Sequence, residues 1–174
     1  MAQPLAEDPL VARANELDRD GFVAAFGPLV EHSPWVAAAA YEQRPFADRD
    51  QLLAAVTDAM LTAPRNLQLG ILRAHPELAG RAAVAGTLTP DSEREQASAG
   101  LDRLTPVEHD ELTRVTGDYR ERFGFPFVIC VREHDRASIL AAARERLQHD
   151  PAQELRIALR EVGRIAALRL GDLP

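Results

Sequence analysis

Hydrophobic residues recur at helical spacing along most of this chain, and proline, glycine and capping residues separate the segments. In the segment 49–62, Leu52, Leu53, Val56 and Met60 fall on one side of a helix, and Asp48 is placed to cap it. The same criteria predict seven further helices, over residues 20–26, 34–44, 64–75, 93–101, 106–122, 136–148 and 151–170, with Thr105 and Asp135 as the caps of two of them. A short helix over 78–85 is also expected, ending at Gly86. An all-α protein of about eight helices is therefore expected.

The segment 123–131, FGFPFVICV, interrupts this pattern. It combines three aromatic residues with a glycine, a proline and β-branched residues, and it has no helical periodicity. We predict one extended aromatic connector that is buried between helices. No repeat or linker divides the chain, so we expect a single compact domain over residues 1–174, with residues 1–16 as a less ordered N-terminal lead.

The amino-acid composition and net charge limit the kinds of partner and the cellular location that we expect for this protein. The formal net charge of −7 argues against nucleic acid or an anionic membrane as the main partner, because both favour a basic surface. One cysteine excludes an internal disulfide framework and fits a reducing compartment. No apolar run approaches the ~20 residues of a membrane span, and the N-terminus lacks a signal-peptide pattern. A cytoplasmic location is expected.

His75 stands directly before Pro76. Proline disfavours helical geometry at the preceding residue, so His75 is expected at a helix end in a restricted, extended conformation. A restricted backbone at this position would limit the directions in which the His75 imidazole can point. The pattern leaves two alternatives open, a hydrogen-bonded structural histidine and an acid/base catalyst.

The cluster from Ser92 to Gln96 has two interpretations as well. Ser92 and Glu95 have the spacing of a capping box, so the cluster can be a solvated helix start. It can also present polar groups to a ligand. The remaining histidines lack the spacing of metal ligands, so no metal site is expected, and Cys130 is expected to be a small buried hydrophobe.

Arg169 lies within the apolar stripe of the last predicted helix. That stripe comprises Leu155, Ala158, Leu159, Val162, Ile165 and Ala166. A guanidinium facing a core is costly unless it is paired. Arg169 therefore pairs with an internal acid, extends to solvent at the helix end, or recognises a carboxylate or urea-like group.

Several longer phrases occur in a fixed order along the chain. They are FGPLVEHSPWV at 26–36, RPF at 44–46, RAHPELAG at 73–80, LTPDSEREQASAGL at 88–101, Tyr119 with FGFPF at 123–127, and residues 165–170. In this order they resemble the family of 2-oxo-4-hydroxy-4-carboxy-5-ureidoimidazoline (OHCU) decarboxylases. The resemblance extends from about Leu17 to Leu173, with mild departures such as Glu77 in a position where aspartate is usual.

The resemblance implies an all-α homodimer that works without a metal or an organic cofactor. It implies that His75 is the acid/base residue, that Glu95 is the main carboxylate, and that Arg169 is the cationic contact. The resemblance also implies that Pro76 lines the substrate. It implies polar substrate contacts by Ser92, Glu93, Arg94 and Gln96. It implies an apolar wall, with backbone groups available to the substrate, formed by Phe127, Val128, Ile129, Cys130 and Val131.

The function implied is decarboxylation of OHCU to (S)-allantoin in urate degradation. Loss of CO2 leaves an electron pair that hydrogen-bond donors can help to stabilise, and a single rigid donor can protonate carbon from one face. Two alternatives stay open. One is a lyase or hydrolase for a related ureido acid, and the other is a non-catalytic helical binding or dimerisation module in which His75, Glu95 and Arg169 form an internal polar network.

Overall fold

A computed structural model describes residues 8–174, which form ten α-helices and no β-strand. The predicted all-α class is therefore confirmed, with about ten helices in place of about eight. The α-helices are α1 (Pro9–Glu16), α2 (Arg19–Phe26), α3 (Pro34–Tyr41), α4 (Arg49–Leu61), α5 (Arg65–Ala74), α6 (Arg81–Val84), α7 (Pro90–Ser98), α8 (Pro106–Phe123), α9 (Arg136–Arg146) and α10 (Pro151–Asp172). Short 3-10 helices cover Gly27–Leu29, Leu101–Arg103 and Val131–Glu133.

Contacts within the chain define two compact units. Among the described residues, the first contains 8–64 together with Ile165–Pro174, and the second contains Arg65–Arg164. The expectation of a single domain stays a prediction. None of the described helices combines the length and the apolar character needed to cross a bilayer.

The expected N-terminal lead is wrong over residues 9–16. These residues form α1, whose Leu10, Val11 and Ala14 are buried, and Asp8 caps the helix by accepting from the Leu10 N–H at 2.9 Å. Burial of that apolar face stabilises the helix against fraying. Residues 1–7, the rest of the expected lead, lie outside the described residues.

Aspartate and threonine residues begin most of the helices. The predicted caps Asp48 and Asp135 are confirmed, and Thr105 forms a complete capping box with Glu108. The capping-box interpretation of Ser92 is wrong, because Thr89 is the N-cap of α7 and its hydroxyl accepts from the Ser92 N–H at 3.3 Å. Ser92 consequently lies inside the first turn of the helix.

In the first unit, α3 packs against α2 and α4 around an aromatic group. The ring of Phe22 lies 4.6 Å from Phe26, 5.6 Å from Tyr41 and 6.2 Å from Phe46 between ring centroids. Hydrogen bonds of a charged side chain also link the first and last helices of this unit. Arg49 binds Asp8 through Nε at 2.6 Å and donates to the Leu170 carbonyl at 3.3 Å, so it joins α1, α4 and the end of α10.

The second unit is built around Tyr119 of α8, which is fully buried. Its ring contacts Phe123, Phe125 and Phe127, with centroids 4.7, 5.9 and 5.2 Å away. The backbone after α8 is irregular until the 3-10 helix Val131–Glu133, and every residue from Phe125 to Val131 is buried. The predicted buried connector is therefore confirmed over residues 125–130, whereas Phe123 is the last residue of α8, Gly124 is exposed and Val131 begins the 3-10 helix.

Candidate functional site

His75 follows the last residue of α5, as the His-Pro dipeptide predicts. Its backbone N–H reaches back to the Leu72 carbonyl at 3.3 Å, and Pro76 then prevents the helix from continuing. The residue is 7% exposed, and the Nε2 atom of its ring is shielded from solvent. The His75 imidazole is therefore largely shielded from solvent, and it is attached to a backbone position whose conformation is restricted by the helix end and by Pro76.

The five residues after His75 form a loop that α7 and α8 hold. The Gln96 carboxamide oxygen accepts from the Ala79 N–H at 3.0 Å, and its nitrogen donates to the Glu77 carbonyl at 3.5 Å. The His109 Nε2 lies 3.2 Å from the Ala79 carbonyl, and Arg120 forms an ion pair with the Glu77 carboxylate. Glu77, the departure from the family pattern, is therefore accommodated by a pair with α8.

The predicted polar residues of α7 point in different directions. Ser92 and Gln96 are buried and Glu95 is half-buried, whereas Glu93 and Arg94 are exposed. The guanidinium of Arg94 pairs with Asp91, one turn earlier on the same helix. Gln96 was predicted as a substrate contact, but its carboxamide is engaged by the backbone of the His75 loop.

Helix α7 lies between the His75 loop and the end of the connector. Gln96 binds that loop, while α7 also packs against the 3-10 helix Val131–Glu133. The charge of Glu95 is close enough to the Cys130 thiol to help raise its pKa. The structure thus brings together three of the predicted segments within the second unit, namely the His75 loop, Ser92–Gln96 and the end of the connector.

Backbone groups of the connector are fixed by buried charged side chains. The Arg146 NH1 group donates to the Val128 carbonyl at 2.8 Å, and the Glu161 carboxylate accepts from the Cys130 N–H at 2.8 Å. These two backbone groups were predicted to be available to a substrate, and they are occupied from within the protein. The side chains of Phe127, Val128, Ile129, Cys130 and Val131 are all buried, as an apolar wall requires.

Sequence reasoning missed the polar network behind this wall. Glu154 is fully buried and accepts from Tyr119 and from Arg146 Nε at 2.8 Å, while its second oxygen lies 2.9 Å from His149 Nδ1. The Arg146 guanidinium also stacks 4.6 Å above the Phe127 ring. Burial and the bond to Glu154 hold the pKa of Tyr119 well above its usual range.

A signal for this network was present in the pattern. Glu154 precedes Ala158 by four residues, and Glu161 precedes Ile165 by four, so both acids fall at the spacing of the buried face of α10. The argument that singled out Arg169 as a charge on an apolar stripe therefore applies to both glutamates.

Cys130 is buried and free, as predicted. Burial raises the pKa of its thiol to about 11, and the nearby charges of Glu133 and Glu161 add to the rise. Its thiolate is the reactive form, so at pH 8 a rise from 9.0 to about 11 reduces that form about 100-fold.

We expect the native protein to react with iodoacetamide at pH 8 at least about 100-fold more slowly than the urea-unfolded chain, because unfolding restores the ordinary thiol pKa. Mass spectrometry of quenched time points measures both rates on the same cysteine. Equal rates in the two states would contradict the burial of Cys130.

Arg169 lies in the first unit and is 6% exposed. Its NH1 group donates to the Pro28 carbonyl at 3.1 Å, and its NH2 group lies 3.3 Å from a carboxylate oxygen of Glu31, itself 4% exposed. The sequence left internal pairing open as one alternative, and this pair is present. Compensation by Glu31 explains how a guanidinium is tolerated on the apolar stripe of α10.

A cavity of about 370 Å³ lies beside the His75 loop, within the second unit. Apolar side chains supply much of its lining, among them Val84, Leu88 and Leu101. Ala79, Gln96 and His109, which join the loop to α7 and α8, line it as well. The predicted contact Glu93 faces this cavity, and His75 is not among its lining residues.

Comparison with known proteins gives a consistent assignment. The family model described as OHCU decarboxylase matches residues 15–171. A 2-oxo-4-hydroxy-4-carboxy-5-ureidoimidazoline decarboxylase of Haloferax volcanii is 46% identical over 92% of this chain and 93% of its own length, and that of Mus musculus is 46% identical over 94% and 92%. A crystal structure of (S)-allantoin synthase superposes with a TM-score of 0.74 at 29% identity, covering 92% of this chain and 52% of that one, so the chain spans about half of that protein.

Proposed function

The chain belongs to the OHCU decarboxylase family, and on that premise we propose that it converts OHCU to (S)-allantoin and CO2 during urate degradation. The observation that supports the proposal best is the mounting of His75. A buried imidazole at a pre-proline helix end, followed by a loop that two helices hold, is the arrangement that a directional proton donor requires.

The reaction needs stabilisation of charge and control of one proton. The C4–carboxylate bond breaks, and its electron pair forms a C4=C5 double bond while the adjacent C=N electrons move to the ring nitrogen. The ring nitrogen and C5 then each take a proton, and the C4 hydroxyl loses one to become the ring carbonyl. The sum is OHCU plus one proton giving allantoin plus CO2. The configuration at C5 depends on the face that receives the proton.

We propose His75 as the donor to C5. Histidine is a common general acid, because its imidazole can hold a proton on a ring nitrogen and pass it to a reacting atom. Water can protonate either face, whereas one fixed donor selects a face. Shielding of the His75 ring from solvent favours the second route.

We propose that the Glu95 carboxylate accepts hydrogen bonds from N–H groups of the ureido chain and the ring, and that the Ser92 hydroxyl donates to a carbonyl group. Both residues lie in α7, where Ser92 is buried and Glu95 is half-buried. Pro76 is proposed to line the substrate. Substrate contacts by Glu93, Arg94 and Gln96 stay predictions from the family resemblance. They have less support than Glu95 and Ser92, because Glu93 and Arg94 are exposed and the Gln96 carboxamide already bonds to the loop after His75.

Arg169 is proposed as the cationic contact of the substrate. Its pair with Glu31 lowers the net charge that it presents. Strong binding of the departing carboxylate would stabilise the ground state and oppose the loss of CO2. A compensated guanidinium is better suited to a carbonyl oxygen on which negative charge develops in the transition state.

The connector is proposed to form the apolar wall of the site. Phe127, Val128, Ile129, Cys130 and Val131 are buried and contribute no charged side chain. An apolar environment favours dispersal of the carboxylate charge into the ring over a hydrated carboxylate.

One assay tests the function. OHCU is generated in place from urate with uricase and hydroxyisourate hydrolase, and its decay is followed by absorbance and circular dichroism. Addition of the protein should accelerate the decay and give an excess of (S)-allantoin, because an enzyme-held donor protonates one face. The control reaction contains the same amount of heat-denatured protein.

Unchanged decay and racemic allantoin would contradict the proposal and favour the binding or dimerisation module. Accelerated decay of a related ureido acid, with OHCU untouched, would favour the other alternative. We further propose that the protein is a cytoplasmic homodimer that acts on this small molecule alone, without nucleic acid or membrane as a partner and without a cofactor.

A further inference from the structure

We propose that Gln96 and His109 are positioning residues, which hold the loop 76–80 and thereby fix the orientation of the His75 imidazole. The inference rests on the proposed function, since it assigns to these residues an effect on proton delivery. It gives Gln96 a role other than substrate contact, and it adds His109, which the sequence had not suggested for any role.

Gln96 anchors the loop through its backbone. It is 6% exposed, and its carboxamide makes a buried hydrogen bond of 3.0 Å with the Ala79 N–H and a longer one of 3.5 Å with the Glu77 carbonyl. A buried amide that lost these partners would leave polar groups unsatisfied. The carboxamide is therefore committed to the loop.

His109 binds the other polar backbone group of the same residue, Ala79. Its Nε2 lies 3.2 Å from the Ala79 carbonyl, which can only accept, so Nε2 carries the hydrogen and donates it. Ala79 has a φ of 49°, in the left-handed region that alanine rarely adopts. A backbone in this conformation persists where its surroundings hold it, and here Gln96 and His109 bind both polar groups of Ala79.

The neighbouring cavity explains why hydrogen bonds are needed. Ala79, Gln96 and His109 all line this space of about 370 Å³. Close-packed side chains normally restrict a buried loop, but a cavity provides no atoms to press against it. The two side-chain contacts therefore take over part of the restraint that packing supplies elsewhere.

The restraint is transmitted to His75 over a short distance. Three residues separate His75 from Ala79, and the first of them is Pro76, whose ring fixes φ. On the other side, α5 holds His75 through the bond from its N–H to Leu72. With both ends held, the backbone of His75 has little freedom to rotate.

Two variants of one residue test the contact. His109→Gln keeps an amide nitrogen near the position of Nε2, while His109→Asn carries the same amide on a side chain one methylene shorter. The Asn variant should lose the bond to Ala79, lower kcat about 10-fold with KM nearly unchanged, and reduce the enantiomeric excess of allantoin. The Gln variant should recover most of both quantities, and Gln96→Met should resemble His109→Asn.

The measurements require conditions in which each effect is separate. Enantiomeric excess is measured at enzyme concentrations that make spontaneous decay negligible, so that a slower enzyme alone does not lower it. Thermal unfolding of every variant checks the fold, and His134→Asn serves as the matched control, since it alters a half-exposed histidine that does not belong to the loop 76–80.

Each outcome has a distinct meaning. If the wild-type protein leaves the decay of OHCU unchanged, the proposed function fails, and this inference fails with it. If the wild type is active and His109→Asn keeps its kcat and enantiomeric excess, or if Gln and Asn are equally impaired, the positioning role is overturned while the proposed function stands.

Discussion

Replacement of His75 by alanine is expected to lower kcat for OHCU by about 10²–10⁴-fold, the range typical of a lost general acid. The little allantoin still formed should be racemic, since water then supplies the proton from either face. Circular dichroism should show an unchanged helix content, because His75 lies after the end of α5 rather than within a helix. Initial rates and chiral chromatography of the product measure the two effects.

A matched control makes the test specific to this imidazole. His134→Ala removes the same group from a half-exposed position after the 3-10 helix Val131–Glu133, and it should retain the wild-type rate. Partial recovery of the His75→Ala rate by added imidazole would support loss of a proton donor. A His75→Ala variant with the full rate and full enantiomeric excess would refute the role of His75.

Replacement of Glu154 by glutamine is expected to destabilise the protein by about 3–5 kcal/mol. Glu154 is fully buried and compensates the Arg146 guanidinium, so the neutral side chain would leave a positive charge buried without its partner. Hydrogen bonds from Tyr119 and His149 would be disturbed as well. Urea unfolding, followed by circular dichroism, measures the free energy of unfolding and its slope m.

Glu145→Gln is the control for this prediction. It makes the same chemical change at an exposed position of α9, where the expected effect is within about 0.5 kcal/mol. If both variants unfold at the same urea concentration, the buried pair contributes nothing beyond an exposed carboxylate. Because Arg146 also holds the Val128 carbonyl, we expect the destabilised variant to lose order first in the connector.

Much of the helical structure could be predicted from local sequence. The caps at Asp48, Thr105 and Asp135, and the proline after Thr105, depend on contacts within four residues, and they occur as expected. The error at α1 has a different origin. Its burial and the bond between Asp8 and Arg49 involve residues far away in the chain, so local pattern underestimated its order.

Helical spacing can also predict which charged residues of α10 are buried. The spacing placed Arg169 on the buried face of α10, and the structure agrees. The same spacing applies to Glu154 and Glu161, which are buried too. A helical period shows that such a charge faces inward, but it does not identify the partner, because Glu31 lies 138 residues from Arg169.

The sequence by itself determined most of the helices, several of their caps, the buried connector and the position of His75 before a proline, since each depends on short-range sterics and hydrogen bonds. It also carried the phrases by which the family could be identified. Only the tertiary structure decided that Gln96 and His109 bind Ala79, and that Arg146 and Glu161 occupy the backbone of the connector. Those contacts join residues 17 to 31 positions apart in the sequence, and no local rule selects among the partners that folding can bring together.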